Sequence, residues 1–188
     1  MKLRLHTLIC STRPTRVGPA VAKWFHDFAV KDGSFDAHLV DLKDFNLPVF
    51  DEPKHPRLGE YEHEHTRRWA ESVSAADAFV FVAPEYNYNP SPALVNALTY
   101  LSNEWNYKPA GFVSYGGISG GMRAAQEAKP LLTTLRMVPV LEAVVVPMFQ
   151  TMIKDGTFTP NEMMEQGGMA MLKELHRVSD ALKGLRAK

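Results

Sequence analysis

The chain has 188 residues, 45% of them hydrophobic, with 21 basic side chains against 21 acidic ones. That length and apolar content supply one domain, residues 1–188, with a full hydrophobic core. Zero net charge, no basic run longer than Arg67-Arg68, one cysteine and no apolar stretch near the roughly 20 residues that cross a bilayer argue against a nucleic-acid footprint, an intrachain disulfide and a membrane span.

Lys2, Arg4 and His6 interrupt the opening apolar residues, so no signal peptide is expected, and the lone Cys10 fits a reducing, cytoplasmic compartment. Strand-like and helix-like segments then alternate along the chain. Leu3-Leu5 with Leu8-Ile9 reads as a first strand, and Gly18 to Val30 as a helix with Val21, Trp24, Phe25 and Phe28 near one face. Ala37–Leu42 suggests a second strand and Glu60–Ala75 a second helix, with Trp69 and Val73 inward. Ala78–Ala83 is continuously apolar, as in a strand buried on both faces. A helix over Ala93–Leu101, a strand Gly111–Ser114, a helix Met122–Leu135, a strand Pro139–Val146 and a helix Asn161–Leu185 follow. Asn46–Gly59 and Pro147–Pro160 read as irregular. Five strand-helix units predict an α/β, doubly wound parallel sheet of five strands in the order 2-1-3-4-5, the flavodoxin-like arrangement, with helices on both faces.

Three loops follow strands of this sheet, where open α/β sheets bind ligands. The first, Ser11-Thr12-Arg13-Pro14-Thr15-Arg16-Val17-Gly18, offers hydroxyls, two guanidinium groups and a helix start, the chemistry a phosphate needs. It lacks the Gly-Lys-Ser/Thr ending of a nucleotide-hydrolase loop. The second, Pro84-Glu85-Tyr86-Asn87, has an aromatic ring to lie against a flat ligand and amide groups to meet a polar edge. The third, Ser114-Tyr115-Gly116-Gly117-Ile118-Ser119-Gly120-Gly121, lets backbone approach a ligand closely. Each alone reads equally as an ordinary turn. Their coincidence at one sheet edge points to a flat, aromatic, phosphate-bearing cofactor.

In this order the three loops, with Ala93-Leu94-Val95-Asn96-Ala97-Leu98 behind the second and Lys108-Pro109 before the third, resemble the NADPH-dependent FMN reductases, a flavodoxin-like group that includes quinone, azo-dye and chromate reductases. The resemblance spans Leu3 to Val146. It implies FMN as cofactor, its phosphate held by Ser11, Arg13, Arg16, Val17 and Gly18. It implies a ring lying against Pro84, Glu85, Tyr86 and Asn87 and closed by Ser114, Tyr115, Gly116 and Gly117. NADPH or NADH would donate a hydride and a small acceptor would collect it in a ping-pong scheme, with no metal and no catalytic side chain. It also implies a homodimer or homotetramer, for which Tyr88, Tyr100, Leu101 and Trp105 are candidate interface anchors. Cys10, Val95 and Asn89-Pro90-Ser91-Pro92 depart from the family pattern.

Two rivals remain at this level. Cys10 and Arg16 have the Cys-x5-Arg spacing of cysteine-dependent phosphatases, although Pro14 and Val17 fit that cradle poorly. A flavodoxin-like electron carrier is the other, disfavoured by the neutral charge. Glu62-His63-Glu64-His65 reads as a solvated helix face, because positions i and i+2 of a helix do not share a side. The methionines clustered near the C-terminus read as core or subunit packing.

Overall fold

In a computed structural model that describes residues 2–186, the apolar runs pair as one parallel sheet. Its strands are β1 (Arg4–Ile9), β2 (Asp36–Asp41), β3 (Ala78–Pro84), β4 (Pro109–Tyr115) and β5 (Val138–Val146), in the order β2-β1-β3-β4-β5. Every residue of β3 and β4 is buried, as their unbroken apolar sequence requires of central strands. The helices are α1 (Gly18–Asp32), α2 (Glu64–Ala75), α3 (Pro92–Thr99), α4 (Met122–Thr134) and α5 (Glu162–Arg186). Val21 and Phe25 of α1 pack with Met171 and Leu175 of α5 on one face of the sheet. Trp69 of α2, Leu94 and Leu98 of α3 and Leu132 of α4 pack on the other. This is the predicted flavodoxin-like order, and it sets the ends of β1, β3 and β4 side by side.

Local chemistry explains the boundaries. Pro19 opens α1 and Gly33, left-handed at φ 75°, closes it with its amide on the Ala29 carbonyl. α2 begins four residues later than expected. The buried Glu52 carboxylate accepts the amides of Glu62 (2.9 Å) and His63 (3.1 Å) and holds that approach extended. His63 therefore caps α2 instead of lying on it, so its ring stacks on His65 at 5.2 Å and both rings face Asp51. The i, i+2 argument fails there because it presumed a helix. A short antiparallel hairpin, β6 (Ile153–Lys154) with β7 (Thr157–Phe158), occupies the stretch expected to be irregular.

The expected interface anchors are corrected by burial. Tyr100, Leu101 and Trp105 belong to the core of this chain, Tyr100 and Trp105 at 0% exposure. The Tyr100 hydroxyl donates to Asp51 Oδ1 (2.8 Å) and so pins the Asn46–Gly59 strap to the end of α3. Trp105 packs edge-on against Phe79. Only Tyr88 of that group is exposed. Of the C-terminal methionines, Met164 and Met171 are core, whereas Met148, Met163 and Met169 face outward.

Candidate functional site

β1 delivers Ser11 to the carboxyl edge of the sheet, fully buried, with the Tyr115 hydroxyl close by and no well-formed hydrogen bond to its Oγ. Buried hydroxyls are nearly always satisfied, so an orphan here is a place where a ligand oxygen belongs. A methyl group built on Gly18 would stand 2.4 Å from Ser11 Oγ and 2.7 Å from the Tyr115 hydroxyl, so both oxygens pack against the helix start where only glycine fits. Val17 caps α1 without a side-chain hydrogen bond, and the positive end of that helix faces the same place. A serine hydroxyl, a phenol and an open helix start form a donor set that suits a phosphate monoester.

The two arginines of this loop have different duties. Arg16 Nη1 donates to Asp41 Oδ1 and to the Ser11 carbonyl, both at 2.6 Å, while Nη2 donates to Asp41 Oδ2. Asp41 ends β2, next door to β1, and its hydrogen bonds raise the Arg16 pKa further. Arg16 is thus a strut that ties the loop to the neighbouring strand. Arg13 is exposed, its guanidinium 5.8 Å from the centre of the Tyr86 ring across the mouth of the site.

Beyond β3, Tyr86 and Asn89 exchange both backbone hydrogen bonds at 3.0 Å around a two-residue turn. Asn87 (φ 53°) and Tyr88 (φ 71°) are both left-handed, as that turn demands. Asn tolerates this, whereas a tyrosine pays about 1–2 kcal/mol for it. The exposed Tyr88 ring lies against the Arg123 guanidinium at 4.1 Å. Glu85 joins the second loop to the third: its amide donates to the Tyr115 carbonyl (3.1 Å), and its carboxylate accepts Ser119 Oγ (2.8 Å) and Arg123 Nη1 (3.3 Å).

In the third loop Tyr115 and Ser114 part company, because successive strand residues point to opposite faces. Tyr115 faces the side of α1 and reaches the phosphate loop, where burial pushes its phenol pKa well up. Ser114, also buried and unpartnered, lies beneath the start of α4 near Gly121. Gly121, at φ 82°, serves the chain itself, since a Cβ there would stand 2.6 Å from the Tyr115 amide.

These loops enclose a cavity of about 100 Å³ lined by Arg13, Arg16, Val17, Pro84, Glu85, Tyr86, Tyr115, Gly116 and Gly117. Ser11, Gly18, Asn87 and Ser114 are all outside its lining, although Ser11 and Gly18 lie directly behind the lining Tyr115 hydroxyl. Phe149 completes the wall, edge-on to Tyr115 at 5.6 Å, with its amide on the Gly116 carbonyl. Sequence reasoning missed Phe149 because it sits in an irregular stretch with no motif. A roomier groove of about 740 Å³ lies on the other side of the phosphate loop, between Leu42–Asn46 and α3, and holds Val95.

The phosphatase rival does not survive this geometry. Cys10 is fully buried, its thiol donates to the Leu8 carbonyl, and burial pushes its pKa up, which disfavours a thiolate nucleophile. Arg16 meanwhile is engaged by Asp41. Among the described residues no group of three His, Cys, Asp or Glu is placed to hold a metal, the stacked histidines included, and no helix is long and apolar enough to cross a membrane.

Comparison with known proteins agrees with the site. The sequence profile described as NADPH-dependent FMN reductase matches residues 3–151. An NAD(P)H-dependent FMN reductase of Schizosaccharomyces pombe is 37% identical over 147 residues, 77% of this chain and 74% of that protein. One from Saccharomyces cerevisiae is 32% identical over 72% of this chain and 76% of its own length. Among solved structures, the flavoenzyme NAD(P)H:(acceptor) oxidoreductase of Paracoccus denitrificans superposes with a TM-score of 0.65 at 22% identity, over 96% of this chain and 94% of that one. Megasphaera elsdenii flavodoxin superposes at 0.55 and 13% identity, over 90% and 98%. At those identities the structural likenesses speak for the fold.

Proposed function

This chain belongs to the NADPH-dependent FMN reductase family, and from that premise we propose a site in which each of the three loops has a separate duty toward FMN, with NAD(P)H as donor and a quinone-type molecule as acceptor. The observation that carries the assignment is the buried Ser11 hydroxyl packed with the Tyr115 hydroxyl against Gly18 at the start of α1. Ser11, Gly18, the start of α1 and the exposed cation of Arg13 would meet the phosphate. Arg16 acts one step back, fixing the loop through Asp41. Pro84, Tyr86 and Asn87 would border the ring, Glu85 ties their loop to the glycine loop, and Gly116, Gly117, Tyr115 and Phe149 form the opposite wall. Ser114 supports that wall from behind.

Bound FMN supplies the two-electron chemistry between donor and acceptor. In this reading the chain's own residues bind, orient and limit access, and no side chain is assigned as an essential acid or base. Arg13, exposed and 5.8 Å from the Tyr86 ring, stands across the mouth through which the flavin would enter. One open mouth serves donor and acceptor in turn, which supports a ping-pong scheme. We further propose one flavin-binding domain over residues 1–188 and a homodimer or homotetramer. The exposed side chains of Ile118, Met122 and Met148, adjacent at the mouth, are the apolar surface that supports assembly.

The test is direct. Purified protein should quench about one equivalent of FMN and oxidise NAD(P)H with a quinone, giving parallel double-reciprocal lines. Protein that neither quenches FMN nor oxidises either nucleotide defeats the reading, and binding without turnover supports the carrier. Light scattering at about two or four times 21.1 kDa supports assembly.

A further inference from the structure

We propose that Arg123 anchors the pyrophosphate of the nicotinamide nucleotide donor, a role that rests on the reductase reading above. A pyrophosphate brings two negative charges to a chain whose net charge is zero, so attraction must be local. Two arginines line the cavity, and a third, Arg123, stands just outside it on the lining carboxylate of Glu85. Arg16 is held by Asp41, and Arg13 belongs to the loop assigned to the FMN phosphate. Arg123 remains, in the first turn of α4, where the positive end of a helix adds to its charge. Its side chain is 46% exposed.

The guanidinium is aimed by its surroundings. It lies 4.1 Å from the Tyr88 ring, and Tyr88 is kept in a left-handed conformation by the paired hydrogen bonds of the Tyr86–Asn89 turn. A bulky residue held at positive φ beside a ligand cavity is the kind of outlier that marks function. The guanidinium sits over the ring with Nη1 on Glu85, and its remaining N–H donors suit a bond to phosphate.

Arg123 is only lightly tied to Glu85. Its bond to Glu85 is the longer of the two that Glu85 accepts, 3.3 Å against 2.8 Å from Ser119 Oγ. When Arg123 swings to a phosphate, the partly shielded Glu85 carboxylate keeps Ser119 and is not stranded. The nearby negative charge of Glu85 tempers the attraction, which suits a donor that must depart before the acceptor enters.

The experiment compares wild type, Arg123→Ala and Arg123→Lys, all FMN-loaded, with NADPH and NADH at fixed quinone. Adenosine diphosphate ribose, which has the pyrophosphate without the nicotinamide, is titrated separately by calorimetry. Arg123→Ala should raise KM for both nucleotides roughly 10- to 100-fold, the scale of a hydrogen bond to a charged group, and weaken adenosine diphosphate ribose alike. The loss should fall on KM and not on kcat, FMN affinity should hold, and Arg123→Lys should recover part of the loss. An unchanged KM overturns the proposal. A rise confined to NADPH also overturns it, because that points to the 2′-phosphate, and so does loss of FMN, which makes Arg123 a structural tie. Wild type that oxidises neither nucleotide would defeat the reductase reading itself, a separate outcome.

Discussion

The two ends of the same sheet treat polar groups in opposite ways. At the amino end of β3 and β4, Lys108 is buried, yet its Nζ donates to the Val73 (2.7 Å) and Ser74 (3.2 Å) carbonyls at the end of α2. Beside it Asp77 accepts the Arg4 amide (2.8 Å) and Arg186 Nη2 (2.9 Å), and its carbonyl takes Ser179 Oγ (3.1 Å). At the carboxyl end, Ser11 and Ser114 keep buried hydroxyls without well-formed hydrogen bonds. The amino end spends its charged groups on the chain, with Trp105 Nε1 left over; the carboxyl end holds the Ser11 hydroxyl beside the cavity wall. A polar group satisfied internally contributes to stability, whereas one left unsatisfied costs stability until a ligand arrives.

Variants at the two ends should therefore separate binding from folding. The largest effect is expected from Gly18→Ala, whose methyl would collide with Ser11 Oγ and the Tyr115 hydroxyl. FMN affinity should fall more than about 100-fold, roughly 3 kcal/mol, measured by fluorescence quenching. Retained tight binding would remove the phosphate from this end of the sheet. Lys108→Ala should do the reverse, stranding two buried carbonyls and costing about 2–3 kcal/mol in urea unfolding while the folded fraction binds FMN normally. If FMN affinity drops with it, the two ends are coupled and the contrast fails.

Arg13→Ala should weaken FMN by about 1.5–3 kcal/mol and leave riboflavin, which lacks the phosphate, unaffected. An equal loss for both flavins would assign Arg13 to the ring through Tyr86. The smallest effect concerns pH. His6, buried in β1 and edge-on to Phe79, is brought down to about 4 by burial first and then by the positive neighbours His38, Arg4 and Lys108. Its folded pKa lies below the ordinary 6.5, so between those values the unfolded chain binds more protons. Stability should fall by about 1–2 kcal/mol as pH drops from 6.5 toward 4.5, and His6→Leu should flatten that slope. A slope unchanged in the variant would place the acid sensitivity elsewhere.

Much of this was legible along the chain. The apolar runs Phe79–Ala83 and Phe112–Val113 announce buried parallel strands because no other short element is apolar on both faces. Strand ends are local events too, so Pro84, Ser11 and the glycine run mark the three loops, and the alternation of units leaves few sheet orders to choose from. The bordering residues of the cavity follow from that. What the sequence could not decide is which way each side chain is spent. Arg13 and Arg16 look alike in their loop, but Asp41, 25 residues on, claims only Arg16. Tyr100 and Trp105 read as surface anchors until the Asn46–Gly59 strap covers one and Phe79 meets the other. Ser114 and Tyr115 are neighbours in sequence, and the pleat sends them to opposite faces of the sheet. Phe149 reaches the site from beyond the last strand without any motif. Local propensity and apolar period act over a few residues and determine where elements begin and end. Partner choice depends on distances across strands and loops, and those exist only once the sheet has closed its register.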